Sequence, residues 1–494
     1  TWASTENFGE SEFEEIFTPS GDVKWTLHIF SMEDEKDHVV EREIGDWRLS
    51  QNREQMIVQV GNDYYTGAVA KAYSSKSAGE ELCTNNLVYR ADPRLEWPQI
   101  FDDAWRWYRD FFYNPYMNGV DWEKVGATYR SWLPQIPSRQ DLNWLLLQMV
   151  GELSVSHTYI SGGDNGPEKQ PENPVSNWYL GCDFESSPSG YYRLKTVFGP
   201  TEYNRGLEGP LVRPDIALKE GDYLIAIDGK EIRWPESPYA SLQLTRGQKV
   251  SVTINGRPSA SGSRTYTVKP INSEYELRYN RWLADNIAKV LKEGDGDLGY
   301  MHITAMGAEN TAQFDKFWRA FLRKQGLIID VRGNGGGWTE YFLIDKLERE
   351  LVAFNVLRNM VPFPYPPGTS TAHYVVLTNE YNGSDGEAFI EHFKAQKLGT
   401  VIGVPSWGGL VGILNPQKTI DNGTVQQSNN AFWGRQGTWW VENHGADPDI
   451  VVENDPASVM AGHDKQLEAG IELLKKQIRE EPFTFPPRPP YPKK

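Results

Sequence analysis

Tyr374–Gln396 reads YVVLTNEYNGSDGEAFIEHFKAQ. The apolar, β-branched run Tyr374 to Leu377 predicts a buried strand, Asn382-Gly383 a sharp turn, and Ala388, Phe389, Ile390 and Phe393 recur at helical spacing. Ser384 therefore falls where a strand turns into a helix. A hydroxyl there projects from the rim of a sheet, beside backbone N–H groups that have no intrahelical partner and can bind a developing negative charge. The same spacing has a plainer meaning, since Ser384 with Glu387 three residues on forms a capping box worth about 1 kcal/mol. Taken alone, the stretch favours the cap.

The rest of the chain gives the setting. Leu298 to Ile303, Leu327 to Val331, Tyr374 to Leu377 and Thr400 to Val404 read as strands, with helices between them that include Thr311 to Gln325. Strands so spaced imply a mainly parallel sheet covered on both faces. A helix over Glu274 to Lys292 precedes this unit and another over Asp464 to Arg479 closes it. The Pro-rich tail from Pro482 to Lys494 is expected to be extended and poorly packed.

Upstream, Trp178 to Lys269 reads as a small β-rich unit. Its segment Leu218-Lys219-Glu220-Gly221-Asp222-Tyr223-Leu224-Ile225-Ala226-Ile227-Asp228-Gly229 resembles the turn and strand of PDZ domains, which hold an extended peptide against a sheet edge. An ordinary antiparallel hairpin is the simpler alternative. From Trp97 the period is helical, with Phe101, Ala104, Trp105, Tyr108 and Phe111-Phe112 on one face and Leu142 to Leu153 forming a second helix. That segment ends at Ser156-His157, followed by a Gly/Pro/Asn/Asp-rich loop over Gly162 to Asn173. A single His at a helix end is more often a cap or a satisfied core group.

Thr1 to about Arg90 alternates as β-structure, for instance Val23 to Ile29 and Met56 to Val60. These strands look like the end of a larger β-structure such as a propeller. The expected organisation is a β-rich segment over 1–90, a helical part carrying His157 over 91–180, a PDZ-like domain over 181–272, an α/β domain carrying Ser384 over 273–480, and a tail over 481–494.

Composition narrows the function. With 494 residues the chain is too long for one core, and its 18 Trp and 24 Tyr supply ample packing material. A net charge of −17 and the lack of any basic cluster argue against nucleic-acid binding. No run of about 18 apolar residues occurs, so no membrane span is expected. Cys83 and Cys182 form no CxxC pair, and a single disulfide between them stays open. The histidines lack metal-ligand spacing, so neither a metal nor another cofactor is implied. The start at Thr1, without Met or an apolar leader, reads as a processed or trimmed form.

Arg332-Gly333-Asn334-Gly335-Gly336-Gly337-Trp338 follows a strand and can turn successive N–H groups toward one point. It lacks the ending of a phosphate loop and the spacing of a dinucleotide fingerprint, which leaves an oxyanion hole. A nucleophilic Ser384 would need a base, a partner to orient it, and oxyanion donors.

Ser-His ahead of a Gly-rich loop, the PDZ-like insert, DVRGNGGG, NEYNGSDGE, WGGLVG and VENHGADPD, in that order from about Phe101 to Ile478, resemble the tricorn protease family. The resemblance implies a multidomain α/β serine peptidase with a crotonase/ClpP-like catalytic domain. Ser384 would be its nucleophile and His157 its base. Glu442 would act through Ser156, which orients the imidazole, and Gly337 and Asp385 would supply oxyanion N–H groups. Substrates would be peptides or unfolded polypeptides, with a bacterial or archaeal cytoplasm or periplasm as setting and homo-oligomerisation left open. The related C-terminal processing peptidases use Ser–Lys chemistry, and Gly409 stands in the lysine's place here. Asn355 aligns with the acidic residue that gives the family its basic P1 preference, so that preference is not carried over. The alternatives are an inactive PDZ-containing peptide-binding module and a crotonase-type acyl-CoA enzyme.

Overall fold

The computed structural model describes residues 2–5, 25–32, 35–69, 79–84, 90, 92–165, 177–243 and 247–493. The chain divides into two compact units, 1–99 and 100–494.

The first unit holds strands β1 (Trp2–Thr5), β2 (Trp25–Ser31), β3 (Lys36–Leu49), β4 (Gln55–Val60), β5 (Asp63–Ala68) and β6 (Glu80–Leu82) in one antiparallel sheet in chain order. Alternation decides its faces. Met56 and Val58 of β4 join Leu27, Val40 and Ile44 in a small core, while Ile57 between them is exposed. This sheet has a core of its own, which the β-rich reading of 1–90 did not anticipate.

Helix α1 (Pro93–Phe111) runs across the division at 99/100, and α2 (Trp122–Arg130) and α3 (Arg139–Gly151) follow in the second unit. Asp121 caps α2 at Lys124 N–H and Ser138 caps α3 at Asp141 N–H. A short strand β7 (Tyr159–Ser161) follows. Then come β8 (Cys182–Ser186), β9 (Tyr192–Val197), β10 (Tyr223–Ile227), β11 (Lys230–Glu231), the short helix α4 (Pro238–Gln243), β12 (Val250–Asn255) and β13 (Arg264–Val268). Five of these strands pair in the order β13-β12-β10-β9-β8, with β11 paired to β10. The Gly221-Asp222 turn leads into β10 as the sequence suggested, with Asp222 buried and accepting the Lys219 N–H.

Helix α5 (Tyr275–Glu293) leads to β14 (Leu298–His302), α6 (Ala308–Phe321), β15 (Gly326–Asp330), α7 (Glu340–Leu347), the hairpin β16 (Ala353–Asn355) and β17 (Phe363–Tyr365), β18 (His373–Thr378), α8 (Asp385–Ala395) and β19 (Gly399–Gly403). Short strands β20 (Gly412–Ile413), β21 (Gln417–Lys418), β22 (Thr424–Gln426), β23 (Ser428–Asn430) and β24 (Ile450–Val451) follow, and helices α9 (Pro456–Met460) and α10 (Lys465–Glu480) end the fold. The central sheet runs β14-β15-β18-β19-β24, parallel throughout. Both faces of β14, β15 and β18 are buried, which is why Leu327 to Ile329 and Val375 to Leu377 are apolar without alternation. A methyl added to Gly470 of α10 would lie 3.4 Å from Val375, so the helix packs closely on that sheet.

Two details depart from the sequence reading. The β16–β17 hairpin interrupts the strand-helix alternation after α7. The tail beyond α10 has no helix or strand, yet Phe483 and Phe485 pack around Phe354, so its first part is anchored. Cys83 is exposed and Cys182 buried, and no disulfide joins them.

Candidate active site

The parallel sheet delivers one half of the site and the helical part the other. Strand β18 ends at Thr378, and the chain turns through Asn382-Gly383 before α8 begins at Asp385. Ser384 sits at this turn with φ +54° and ψ −126°, a strained conformation for a residue with a Cβ. Such a turn holds a side chain out at the top of a sheet, as a nucleophile elbow does. The turn admits no bulk: a Cβ on Gly386 would lie 2.1 Å from Asn382 Oδ1, and one on Gly383 would lie 2.8 Å from the Trp407 ring.

His157 comes from the stretch after α3, also at positive φ, +55°. Its position follows from pairing just beyond it, where β7 joins β22 with Tyr159 opposite Gln426. The Ser428 hydroxyl donates to the Ser156 carbonyl at 2.5 Å, and the buried pair Arg139–Asp421, 2.6 Å, ties α3 to the β21–β22 turn. Through these bonds His157 reaches the rim of the parallel sheet.

There Nε2 of His157 lies 3.1 Å from Ser384 Oγ, and Nδ1 lies 2.9 Å from Ser156 Oγ. The Ser156 hydroxyl donates in turn to Glu442 Oε2 at 3.2 Å, and the Ser156 N–H to Glu442 Oε1 at 2.7 Å. Ser384, His157, Ser156 and Glu442 thus form one continuous chain of hydrogen bonds. Burial lowers the pKa of His157, and the Glu442 carboxylate works against that shift. The Trp407 ring stands edge-on to the imidazole with centroids 5.6 Å apart.

Next to Ser384 lie Asp385 and the Gly336-Gly337 turn, where a Cβ on Gly336 would come 3.0 Å from Ser384 Oγ and 3.1 Å from the Asp385 nitrogen. Neither the Gly337 nor the Asp385 backbone N–H donates to any group among the described residues. The segment carrying Gly337 is fixed by Met306, whose N–H donates to the Gly336 carbonyl and whose carbonyl accepts the Trp338 N–H, each at 2.7 Å. Asp385 also holds this segment by accepting the Glu340 N–H at 3.1 Å through its side chain. Burial, and then the charge of Glu340, push its carboxyl up to about 7.

Glu387 does more than the capping box required. Its Oε2 accepts the Ser384 N–H at 3.0 Å, and the fully buried carboxylate also takes Ser406 Oγ, Gly408 N–H and Gly409 N–H at 2.6–2.8 Å. The next two N–H groups, Leu410 and Val411, go to Glu442 Oε2 at 2.9 and 2.8 Å. Four successive N–H groups therefore bridge the carboxylate behind the serine to the carboxylate behind the base. The sequence marked this stretch as the WGGLVG motif and for the glycine standing where a lysine could be, but not for its N–H groups.

Asn355 lies apart from this cluster. It is exposed on the β16–β17 hairpin, opposite Phe363, and no hydrogen bond joins it to Ser384 or His157. Among the described residues no group of three or more metal-ligating side chains occurs, and no helix is long and apolar enough to cross a membrane.

Residues 297–452 match the model of peptidase family S41, and ahead of them 93–151 match the tricorn protease C1 domain and 179–273 the tricorn protease PDZ domain. The chain belongs to the tricorn protease family. It is 35% identical over 425 residues to tricorn protease homolog 1 of Streptomyces coelicolor, covering 84% of this chain and 39% of that protein. It is 30% identical over 471 residues to the tricorn protease of Thermoplasma acidophilum, covering 94% and 42%. A crystal structure of the tricorn protease superposes with a TM-score of 0.84 at 28% identity, over 97% of this chain and 45% of that one. The chain therefore spans less than half the length of these relatives.

Proposed function

We propose that the chain is the catalytic part of a serine peptidase that cleaves peptides or unfolded polypeptides by acyl transfer to Ser384. The observation that carries this is the 3.1 Å approach of His157 Nε2 to Ser384 Oγ, and it is supported by the unpaired N–H groups of Gly337 and Asp385. His157 takes the proton from Ser384 as Oγ attacks the scissile carbonyl, and the oxyanion binds to those two N–H groups. The imidazolium then gives its proton to the leaving amine, and a water repeats the cycle to release the acyl group. Ser156 passes the influence of Glu442 to Nδ1 and fixes the ring's orientation. Digestion of a peptide library, read by mass spectrometry, should yield cleavage products with wild type and none with Ser384→Ala. Products from both proteins would place the activity elsewhere.

The five-stranded parallel sheet with Ser384 at its C-terminal rim supports a crotonase/ClpP-like catalytic domain. The antiparallel sheet β1–β6 is read as the end of a β-propeller.

The pH dependence follows from His157. Its neutral form is the base, so kcat/KM falls as pH drops through its pKa. Burial sets that acid limb below the ordinary histidine value of 6.5. The Glu442 charge favours the imidazolium, so Glu442→Gln should move the limb lower still. A limb near 7 that disappears in Asp385→Asn would assign it to Asp385 instead.

Asn355 is taken to line the P1 side of the site, a role supported by the resemblance alone. An amide offers no charge-assisted bond to a buried Lys or Arg. Matched fluorogenic peptides with Arg, Leu or Phe at P1 should then show a neutral residue cleaved at least as well as Arg. Asn355→Asp should raise the Arg/Leu ratio about tenfold. An unchanged ratio would remove Asn355 from that pocket.

A further inference from the structure

The PDZ-like domain has an edge where a peptide could dock, and the chain's own side chain already occupies its end. Strand β8 is outermost in its sheet. Phe184 of β8 and Tyr179 just ahead of it each approach Tyr239 of α4, at centroid distances of 5.8 and 5.7 Å. Domains of this kind add an extended peptide to such an edge, and backbone N–H groups can capture a C-terminal carboxylate. At the start of β8, Gly181 has φ +74°, and this turn aims two successive N–H groups at one point.

That point is Oε1 of Glu274, which accepts from Gly181 N–H at 2.8 Å and from Cys182 N–H at 3.1 Å. Its other oxygen, Oε2, takes Arg278 Nη2 at 2.6 Å, and Arg278 also reaches Asp183 of β8 at 2.8 Å. Glu274 is only 5% exposed. It stands at the N-cap of α5, where a side chain ordinarily binds its own helix, yet it makes no capping bond there. The carboxylate is used across the domain boundary instead. Burial, and then the Glu274 charge, push the Tyr239 hydroxyl up to about 12, so the carboxylate lies close enough to act on the ring that Phe184 and Tyr179 meet.

We propose that Glu274 is a built-in ligand of the PDZ-like domain. Its carboxylate fills the place of a peptide's C-terminal carboxylate, so the folded domain is closed to free C-termini and is clamped to α5. Removing that side chain leaves a vacant cradle of two N–H groups and Arg278, which accepts an external carboxylate.

The test measures binding rather than turnover, so its failure is separable from failure of the peptidase reading. It uses the full chain carrying Ser384→Ala, which keeps peptides intact. Glu274→Ser is the main variant, because serine can cap α5 and favours folding; Glu274→Ala is the second. The probes are acetate against acetamide in thermal unfolding, and a fluorescein-labelled peptide ending in Leu-Val-Ala as free acid against its amide. Acetate should raise the Tm of both variants more than that of the Glu274 protein, and acetamide should not. The free acid should bind the variants at least about tenfold more tightly than it binds the Glu274 protein, with the amide weak throughout. Equal binding of the free acid with and without Glu274, or no acetate effect beyond that on the Glu274 protein, would overturn the proposal.

Discussion

Ser384→Ala and His157→Ala are each expected to lower kcat/KM by about 10⁴- to 10⁶-fold, and the double variant should be no worse than either. The two groups act as one unit: without Oγ there is no nucleophile, and without Nε2 nothing takes its proton. The loss should be chemical. Ser384→Ala keeps the backbone turn, and its N–H still reaches Glu387 Oε2, so the unfolding free energy should fall by only about 1 kcal/mol. Initial rates on a fluorogenic peptide, paired with urea unfolding, separate these effects. Additive losses in the double variant would mean that Ser384 and His157 work independently.

Gly337→Ala should lower kcat by about 10²- to 10³-fold with KM little changed, the signature of an oxyanion donor displaced. At φ +149° a methyl there would lie 1.8 Å from the Met306 carbonyl oxygen, which accepts the Trp338 N–H. The strand-like bridge must open, and the Gly337 N–H turns away from Ser384. Gly336→Ala strikes the nucleophile itself, with the added methyl 2.5 Å from Ser384 Cβ. Gly335→Ala is the control, because its methyl would meet nothing within 4 Å. Steady-state kinetics on the three variants should rank Gly335→Ala near wild type and the other two far below. Equal kcat for Gly337→Ala and Gly335→Ala would take the Gly337 N–H out of the reaction.

What the sequence disclosed depended on how local the cause was. The strand, turn and helix around Ser384 were legible because β-branched residues, Asn-Gly and a 3.6-residue period act within a few positions. The capping geometry does not exclude the nucleophile reading. Ser384 and Glu387 stand as a capping box whose carboxylate accepts the Ser384 N–H, while Oγ still approaches His157. His157 was different, since 227 residues separate it from Ser384. Nothing in its neighbourhood separates it from a capping histidine, and only the resemblance singled it out. The bridge of N–H groups from Gly408 to Val411 was invisible for a related reason: backbone donors leave no mark on residue type, and their partners Glu387 and Glu442 come from elsewhere in the chain. Glu274 was marked only as the first residue of a helix. Phe483 and Phe485 were submerged in a Pro-rich tail whose composition predicts extension, although two rings suffice to anchor it on Phe354.

The most direct measurement is the site of reaction with a fluorophosphonate, which modifies only an activated serine. Wild type should gain one phosphonyl adduct, mapped by tandem mass spectrometry to Ser384, with no adduct in Ser384→Ala and a strongly slowed one in His157→Ala. An adduct on another serine, or undiminished peptide hydrolysis by folded Ser384→Ala, would contradict the account.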